Sequence, residues 1–125
     1  MRQPAHLMTA LLVGFAGASA VLLGAFGAHA LRGVLDARAV ELWHTAVEYH
    51  AWHALALALA AGLGRGRGAR VVMAAFVAGI VLFSGSLYAL ALGAPRWVGI
   101  ITPFGGLAFV VGWLALGWAL RPRHE

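Results

Sequence analysis

The chain has 125 residues, of which 62% are hydrophobic and 10% are charged, whereas soluble domains have about 45–50% and about 25%, so the composition predicts an integral membrane protein in contact with the lipid bilayer. The net charge of +5 comes from arginines between apolar runs, where they orient helices and meet lipid phosphates, so we expect no nucleic-acid partner. Cysteine is absent, which excludes a disulfide framework, a thiolate metal site and a cysteine nucleophile.

The first apolar run covers residues 7–31, contains no charged side chain and is long enough to span a bilayer. Arg2 and the triplets "ASA" and "AHA" are compatible with a signal peptide. The run exceeds the usual signal core of about 7–15 residues, however, so we expect it to be retained. Small residues recur every four positions and let another helix approach closely; they are Ala16, Ala20, Gly24 and Ala28.

The next segment, "RGVLDARAVELWHT" at 32–45, mixes four charged residues with apolar ones. It is too charged to span a membrane. Its amphipathic character predicts a connection that contains a short interfacial helix.

The second span, residues 44–63, carries ionisable groups inside the membrane. After His53 only residues 54–64 are purely apolar, which gives about 16 Å of helix against a hydrocarbon core of about 30 Å. Counting about 20 residues back from the apolar end places Glu48 and His53 within the span. A charged group at the centre of a membrane helix costs about 2.5–3.5 kcal/mol and usually faces a bundle interior or a wet cavity. We therefore expect Glu48 to be paired, protonated or hydrated.

Two further spans follow a flexible basic loop, "GRGRGAR" at 64–70. The third span covers 71–93. The fourth covers 103–120, because Thr102 provides a helix N-cap and Pro103 suits the first helical position. The predicted fold is all-α: a single polytopic membrane domain of four antiparallel transmembrane helices, with an interfacial helix between the first two.

The arginines predict how this domain is oriented. Four spans put both termini and the loop between the second and third spans on one side of the membrane. Six arginines lie on that side and three on the other, so the positive-inside rule places both termini in the cytoplasm. The six are Arg2, Arg65, Arg67, Arg70, Arg121 and Arg123, and the three are Arg32, Arg38 and Arg96.

With this topology, all four helices bring polar side chains to the outer leaflet. They either join the helices by hydrogen bonds or bind a small polar or amphiphilic ligand or a partner. On a helical wheel Glu48 and His53 fall on different stripes, so one of them faces a second helix or an oligomer partner. We expect Glu48, Tyr49 and His53 to face the bundle interior with His29, Ser84 and Tyr88, as one connected polar site in the outer half of the membrane. The candidate residues are His29, Glu48, Tyr49, His53, Ser84, Ser86, Tyr88 and Thr102.

Metal and catalytic chemistry have weaker support. His50 and His53 lie one turn apart and could ligate a metal or haem with Glu48 or His29, but two neighbouring histidines are a weak signal, and we expect no metal or cofactor. Lysine is absent and no nucleotide or hydrolase motif occurs, so we expect no enzyme.

Two alternative functions stay open at this stage. One is a proton-coupled small transporter acting as a dimer, because small multidrug exporters share the four short helices and a membrane carboxylate. The other is a metal- or haem-binding membrane protein that uses His29 and His53.

Three stretches together resemble a known family: "GAFGAH" at 24–29, "EYHAWHALAL" at 48–57, and "LFSGSLYALAL" at 82–92, which is followed by "TPFGG" and "GW". They resemble the small bacterial inner-membrane proteins grouped as domain of unknown function 423, related to the transmembrane protein 256 family. The resemblance covers nearly the whole chain and implies a four-helix inner-membrane protein with a retained first span. It brings no established activity.

The motif positions of this resemblance include most of the candidate residues. Glutamine commonly follows the motif tyrosine, whereas this chain has His50, so the resemblance implies nothing for that side chain. The matching positions are Gly24, Gly27, His29, Glu48, Tyr49, His53, Ser84, Gly85, Ser86, Tyr88, Thr102, Pro103, Gly105 and Gly106.

Overall fold

The computed structural model describes residues 4–63 and 66–122, and within these ranges it contains helices and no strand. The all-α prediction is confirmed. The four helices in chain order are α1 (Pro4–His29), α2 (Ala37–Ala61), α3 (Arg67–Ala91) and α4 (Arg96–Ala119).

Two of the helices are irregular. Helix α3 consists of two α-helical parts, Arg67–Gly79 and Gly85–Ala91, joined by a π-helical turn at Ile80–Ser84. Helix α4 begins with a 3₁₀ turn at Arg96–Ile100 and continues as an α-helix over Ile101–Ala119. It therefore starts earlier than predicted.

Within the part of the chain that the structure describes, three helices are long and apolar enough to cross a membrane: Leu7–His29, Arg67–Ala91 and Arg96–Ala119. Helix α2 has a similar length, 25 residues, but its charged residues make it much less apolar. Its crossing of the membrane stays a prediction, as do the exact limits of the four spans.

The predicted interfacial helix between the first two spans is not seen as a separate element. The Asp36 carboxylate accepts a hydrogen bond from the Ala39 N–H at 2.8 Å and caps α2, so the helix begins at Ala37 and runs without a break through Glu41 and Trp43. A turn with Gly33 at φ 79° precedes it. The charged segment is thus this turn plus the first turns of α2.

Helix α2 lies at the centre of the fold. It packs against α1 on one side and against α3 on another, and α3 packs along α4. Ala46, Leu57 and Ala60 of α2 have no exposed surface, like Val72 and Phe76 of α3. The core therefore lies where α2, α3 and α4 meet.

The small-residue stripe of α1 faces α2. Ala16 and Ala20 are buried, and a methyl group on Gly24 would meet Val47 Cγ1 at 3.2 Å. Ala28, in contrast, is exposed, and Gly27 takes its place in the contact. These residues allow the close approach of α1 that the sequence predicts.

Candidate functional site

The structure divides the eight candidate residues into three groups. Tyr49 is half-buried, while His29 and Glu48 are exposed. The expectation that these two face the bundle interior is therefore wrong, because both side chains lie on the side of their helices turned away from the core. Tyr88 and Thr102 are half-buried like Tyr49, and the remaining three, His53, Ser84 and Ser86, are buried.

The imidazole ring of His53, a residue of α2, reaches α4, and both of its nitrogens form hydrogen bonds. Its Nδ1–H donates to the carbonyl oxygen of Tyr49 at 2.6 Å, and its Nε2 accepts the indole N–H of Trp113 at 3.0 Å. The ring also stacks on Phe109, with centroids 3.5 Å apart and planes at 11°. A carbonyl can only accept and an indole N–H can only donate, so the neutral ring with its proton on Nδ1 fits these partners.

The buried ring of His50 joins three helices. The Ser19 hydroxyl donates to the Ala16 carbonyl at 3.1 Å, so its oxygen is left to accept the Nε2–H of His50, also at 3.1 Å. Nδ1 then accepts the Tyr88 hydroxyl at 2.9 Å. This chain connects α1, α2 and α3 through a single imidazole.

Two serines of α3 reach the neighbouring helices. The Ser84 hydroxyl donates to the Ala46 carbonyl of α2 at 2.7 Å. The Ser86 hydroxyl donates to the Phe83 carbonyl of its own helix at 2.9 Å, and its oxygen lies 2.6 Å from that of Thr102 on α4. Since the Ser86 proton is used, the Thr102 hydroxyl is the donor of this pair, and it does not cap α4.

The π-helical turn of α3 brings these serines into place. The Gly85 N–H bonds the Ile80 carbonyl, which closes a wider turn than an α-helix has. There the backbone of Phe83 lies directly against Gly105 of α4, where a methyl group would overlap it. A local change in helix winding thus sets both the α3–α4 contact and the Ser84 contact to α2.

These hydrogen bonds satisfy the polar interior. Among the described residues, every buried side-chain nitrogen or oxygen has a hydrogen-bond partner. The Trp43 indole adds a further interhelical bond, to the Leu23 carbonyl of α1 at 2.9 Å. Interhelical hydrogen bonds in membranes contribute about 0.6–2 kcal/mol each, so this set stabilises the helix packing.

The arrangement Ser19–His50–Tyr88 has the connectivity of a hydrolytic triad but lacks its chemistry. A nucleophilic serine would give its proton to the histidine, whereas the Ser19 proton points to the Ala16 carbonyl. Ser19 also lies inside α1, where helical hydrogen bonds already use the backbone N–H groups that could stabilise an oxyanion.

The side of α2 opposite to its buried residues carries ionisable groups. We call it the outward face of α2, and its residues recur three and four positions apart, so they lie on one side of the helix. It consists of Glu41, His44, Glu48, Trp52, Leu55 and Leu59, all exposed.

Glu48 lies near the middle of this face. It is eleven residues after Ala37 and thirteen before Ala61, or about 16 Å and about 20 Å along the axis. No described residue donates a hydrogen bond to its carboxylate or forms an ion pair with it. The indole of Trp52 lies one turn further along, with its ring 5.0 Å from that of Tyr49.

We call the buried and half-buried side chains that form these hydrogen bonds the interior set. Several of its members were not predicted from the sequence. Ser19 was the only polar side chain between residues 10 and 28, which was a usable signal. Trp113 gave no such signal, because no local pattern indicates that its N–H reaches His53, sixty positions away.

Comparisons with known proteins place the chain among bacterial membrane proteins. The family model described as a protein of unknown function, DUF423, matches residues 23–106. UPF0382 membrane protein YwdK of Bacillus subtilis is 47% identical over 101 residues, covering 78% of this chain and 82% of that protein. A UPF0382 membrane protein of Haemophilus influenzae is 44% identical over 109 residues, covering 86% and 88%.

UPF0382 inner membrane protein YgdD of Escherichia coli is 42% identical over 118 residues, covering 84% of this chain and 83% of that protein. No solved structure matches the chain. The matched region contains Glu48, His53 and both serines of α3. This protein belongs to the DUF423 family, and the relatives to which it is similar are UPF0382 membrane proteins.

Proposed function

We propose that this protein is a non-enzymatic protein of the bacterial inner membrane that binds a small amphiphilic cation at the outward face of α2. The single observation that carries the proposal is Glu48, a carboxylate exposed near the middle of its helix with no partner among the described residues.

The position of Glu48 favours a positively charged ligand. An ionised carboxylate near the centre of a membrane helix is unfavourable by about 2.5–3.5 kcal/mol, and a cation beside it offsets that cost. The neighbouring rings of Trp52 and Tyr49, tilted by 48° to each other, offer an aromatic surface beside Glu48, and aromatic faces attract cations. A ligand with a delocalised positive charge on an apolar body fits both features.

The interior candidates have a different role in this proposal. A ligand at His53 or Ser84 would have to break hydrogen bonds to Trp113 or to the Ala46 carbonyl. Both ring nitrogens of His50 and of His53 are engaged, which speaks against the metal- or haem-binding alternative. We assign the interior set to holding the helices together and Glu48 to binding.

The test is equilibrium binding of tetraphenylphosphonium to the purified protein in detergent. We expect saturable binding by the wild type and its loss in Glu48→Gln, because the amide keeps the shape of the side chain but removes its charge. Glu41→Gln is the matched control, since Glu41 lies on the same face two turns nearer the start of α2. Equal binding by both variants, or no saturable binding by the wild type, would refute the proposal.

Proton-coupled transport is the second candidate function. The observation that favours it is again Glu48, because one unpaired carboxylate can hold either a proton or a cation, but not both. Uptake of tetraphenylphosphonium into liposomes that depends on a pH gradient would identify a transporter. Binding without such uptake would leave a binding protein.

A further inference from the structure

We infer that the cation bound at the outward face of α2 is an amphiphilic primary amine, whose ammonium group bridges His44 and Glu48. The inference rests on the proposed binding function. It names the class of ligand and adds His44 as the residue that selects it.

The outward face of α2 changes character along its length. The half nearer the start of the helix holds the ionisable side chains, which are Glu41, His44 and Glu48. The half nearer the end holds exposed apolar side chains, which are Trp52, Leu55 and Leu59. A ligand that lies along this face therefore meets polar groups at one end and apolar groups at the other.

Two of the ionisable groups are left without a partner in the protein. The carboxylate of Glu41 lies 3.7 Å from the guanidinium of Arg38. No described residue forms a hydrogen bond or an ion pair with the side chain of His44 or of Glu48. A neutral imidazole keeps a lone pair on one ring nitrogen. The face therefore offers a charged acceptor and a neutral acceptor one helical turn apart.

The spacing of these acceptors fits a single ammonium group. Side chains four positions apart on a helix have Cβ atoms about 5–6 Å apart. Two hydrogen bonds from one nitrogen, each about 2.7–3.0 Å long, span about the same distance. A primary ammonium has three N–H donors, so it can bond His44 and Glu48 together. A quaternary cation has no N–H and meets the carboxylate by charge alone.

The apolar part of the ligand lies beside Trp52 and the two leucines, but it does not select the ligand. Lipid tails offer the same apolar surroundings, so the preference comes from the head group. Glu48 lies near the middle of α2, whereas the ammonium groups of phospholipids lie at the bilayer surface. The geometry therefore favours a free amphiphilic amine that enters the bilayer.

Displacement of tetraphenylphosphonium from the purified protein tests the inference. The competitors are decylamine and decyltrimethylammonium, which share a chain and a charge but differ in their N–H donors. The measurement is made at about pH 8, where an alkyl ammonium is charged and a free imidazole is neutral. His44→Leu removes the neutral acceptor. His29→Leu is the matched control, because His29 is an exposed histidine on α1.

We expect the wild type to release tetraphenylphosphonium at a lower concentration of decylamine than of decyltrimethylammonium. The ratio of the two concentrations should fall about tenfold in His44→Leu, because one hydrogen bond to a charged group is lost. It should stay at the wild-type value in His29→Leu. Comparing ratios in the same detergent cancels the partition of each competitor into micelles.

Two results would overturn the inference and leave the proposed function intact. One is equal displacement by the two competitors in the wild type, and the other is an unchanged ratio in His44→Leu. Absence of saturable tetraphenylphosphonium binding would instead refute the proposed function, and the inference with it.

Discussion

Two buried histidines of the second helix, His50 and His53, show how hydrogen-bond partners fix the role of a polar residue in this protein. His53 and His50 each use one nitrogen as donor and the other as acceptor, within the protein. Glu48 lies between Val47 and Tyr49 in the chain, yet no described residue meets its carboxylate. A rotation of 100° per residue around the helix thus places the hydrogen-bonded histidines inside the bundle and the Glu48 carboxylate on its surface.

The hydrogen bond between Trp113 and His53 gives a prediction at this scale. Trp113→Phe keeps an aromatic ring but removes the N–H, so the His53 Nε2 loses its donor. We expect the free energy of unfolding to fall by about 0.6–2 kcal/mol, measured by thermal denaturation in detergent.

Trp118→Phe on the same helix is the control for that prediction. Trp118 is exposed and its indole N–H has no partner among the described residues, although Arg121 stacks on its ring. A change within about 0.5 kcal/mol is expected there. Equal destabilisation by the two variants would show that the indole N–H of Trp113 contributes nothing specific.

The sequence predicts which residues are polar and which stripe of α2 each occupies, but not which stripe faces the core. The helical wheel separates Glu48 from His53 correctly. The bundle-interior position expected for Glu48 is wrong, because the rotation of α2 depends on distant contacts such as Trp43 with Leu23 and Ser84 with Ala46. Those contacts leave no local signal.

Close contacts between whole helices depend on the π-helical turn of α3 and on glycines of α4. Phe83 presents its backbone to Gly105 at that turn, and Phe76 presents its ring to Gly112. Side chains larger than hydrogen at either glycine would push α4 away from α3. The Thr102 and Ser86 hydroxyls, 2.6 Å apart, depend on the same spacing.

Gly105→Ala tests this contact. The added methyl group would overlap the Phe83 backbone, which cannot move aside as a flexible side chain can. Overpacking of this kind typically lowers stability by about 1–3 kcal/mol, so we expect a lower Tm in detergent. Gly117→Ala, on the same helix with open space around it, should be neutral or stabilising by up to about 1 kcal/mol. The reverse order of Tm values would contradict the contact.

The helices themselves were predictable because long apolar runs in a membrane leave few alternatives. The ends of the helices were less predictable. Asp36 is a good N-cap residue, but the charges that follow it favour an interfacial segment on composition alone. The π-helical turn has no sequence signal that we can identify, since it depends on packing against Gly105.

At the scale of the whole molecule, every buried polar side chain that the structure describes has a hydrogen-bond partner. The carboxylate of Glu48, on the outward face of α2, has none among the described residues. Helix α1 shields one flank of α2, and α3 with α4 forms the opposite side. The protein therefore combines a hydrogen-bonded interior with an exposed carboxylate on its perimeter. That combination is what favours a partner or ligand within the bilayer over chemistry inside the bundle.

The orientation of the molecule in the membrane stays a prediction. Three of the six arginines counted for the cytoplasmic side, Arg2, Arg65 and Arg123, lie outside the described residues. Because the four predicted spans put six arginines on the side of the termini and three on the other, we expect a C-terminal green fluorescent protein to fluoresce and a C-terminal alkaline phosphatase to be inactive. An active phosphatase at the C-terminus would reverse the orientation.

The division between a structural interior and a binding face is tested most directly by the affinity for tetraphenylphosphonium of two variants, Glu48→Gln and Ser84→Ala, measured side by side. We predict that Glu48→Gln loses binding and keeps the wild-type Tm, because its side chain forms no hydrogen bond or ion pair with a described residue. Ser84→Ala should lower the Tm and keep the binding, because it removes only the bond to the Ala46 carbonyl. Loss of binding in Ser84→Ala with full binding in Glu48→Gln would contradict the account.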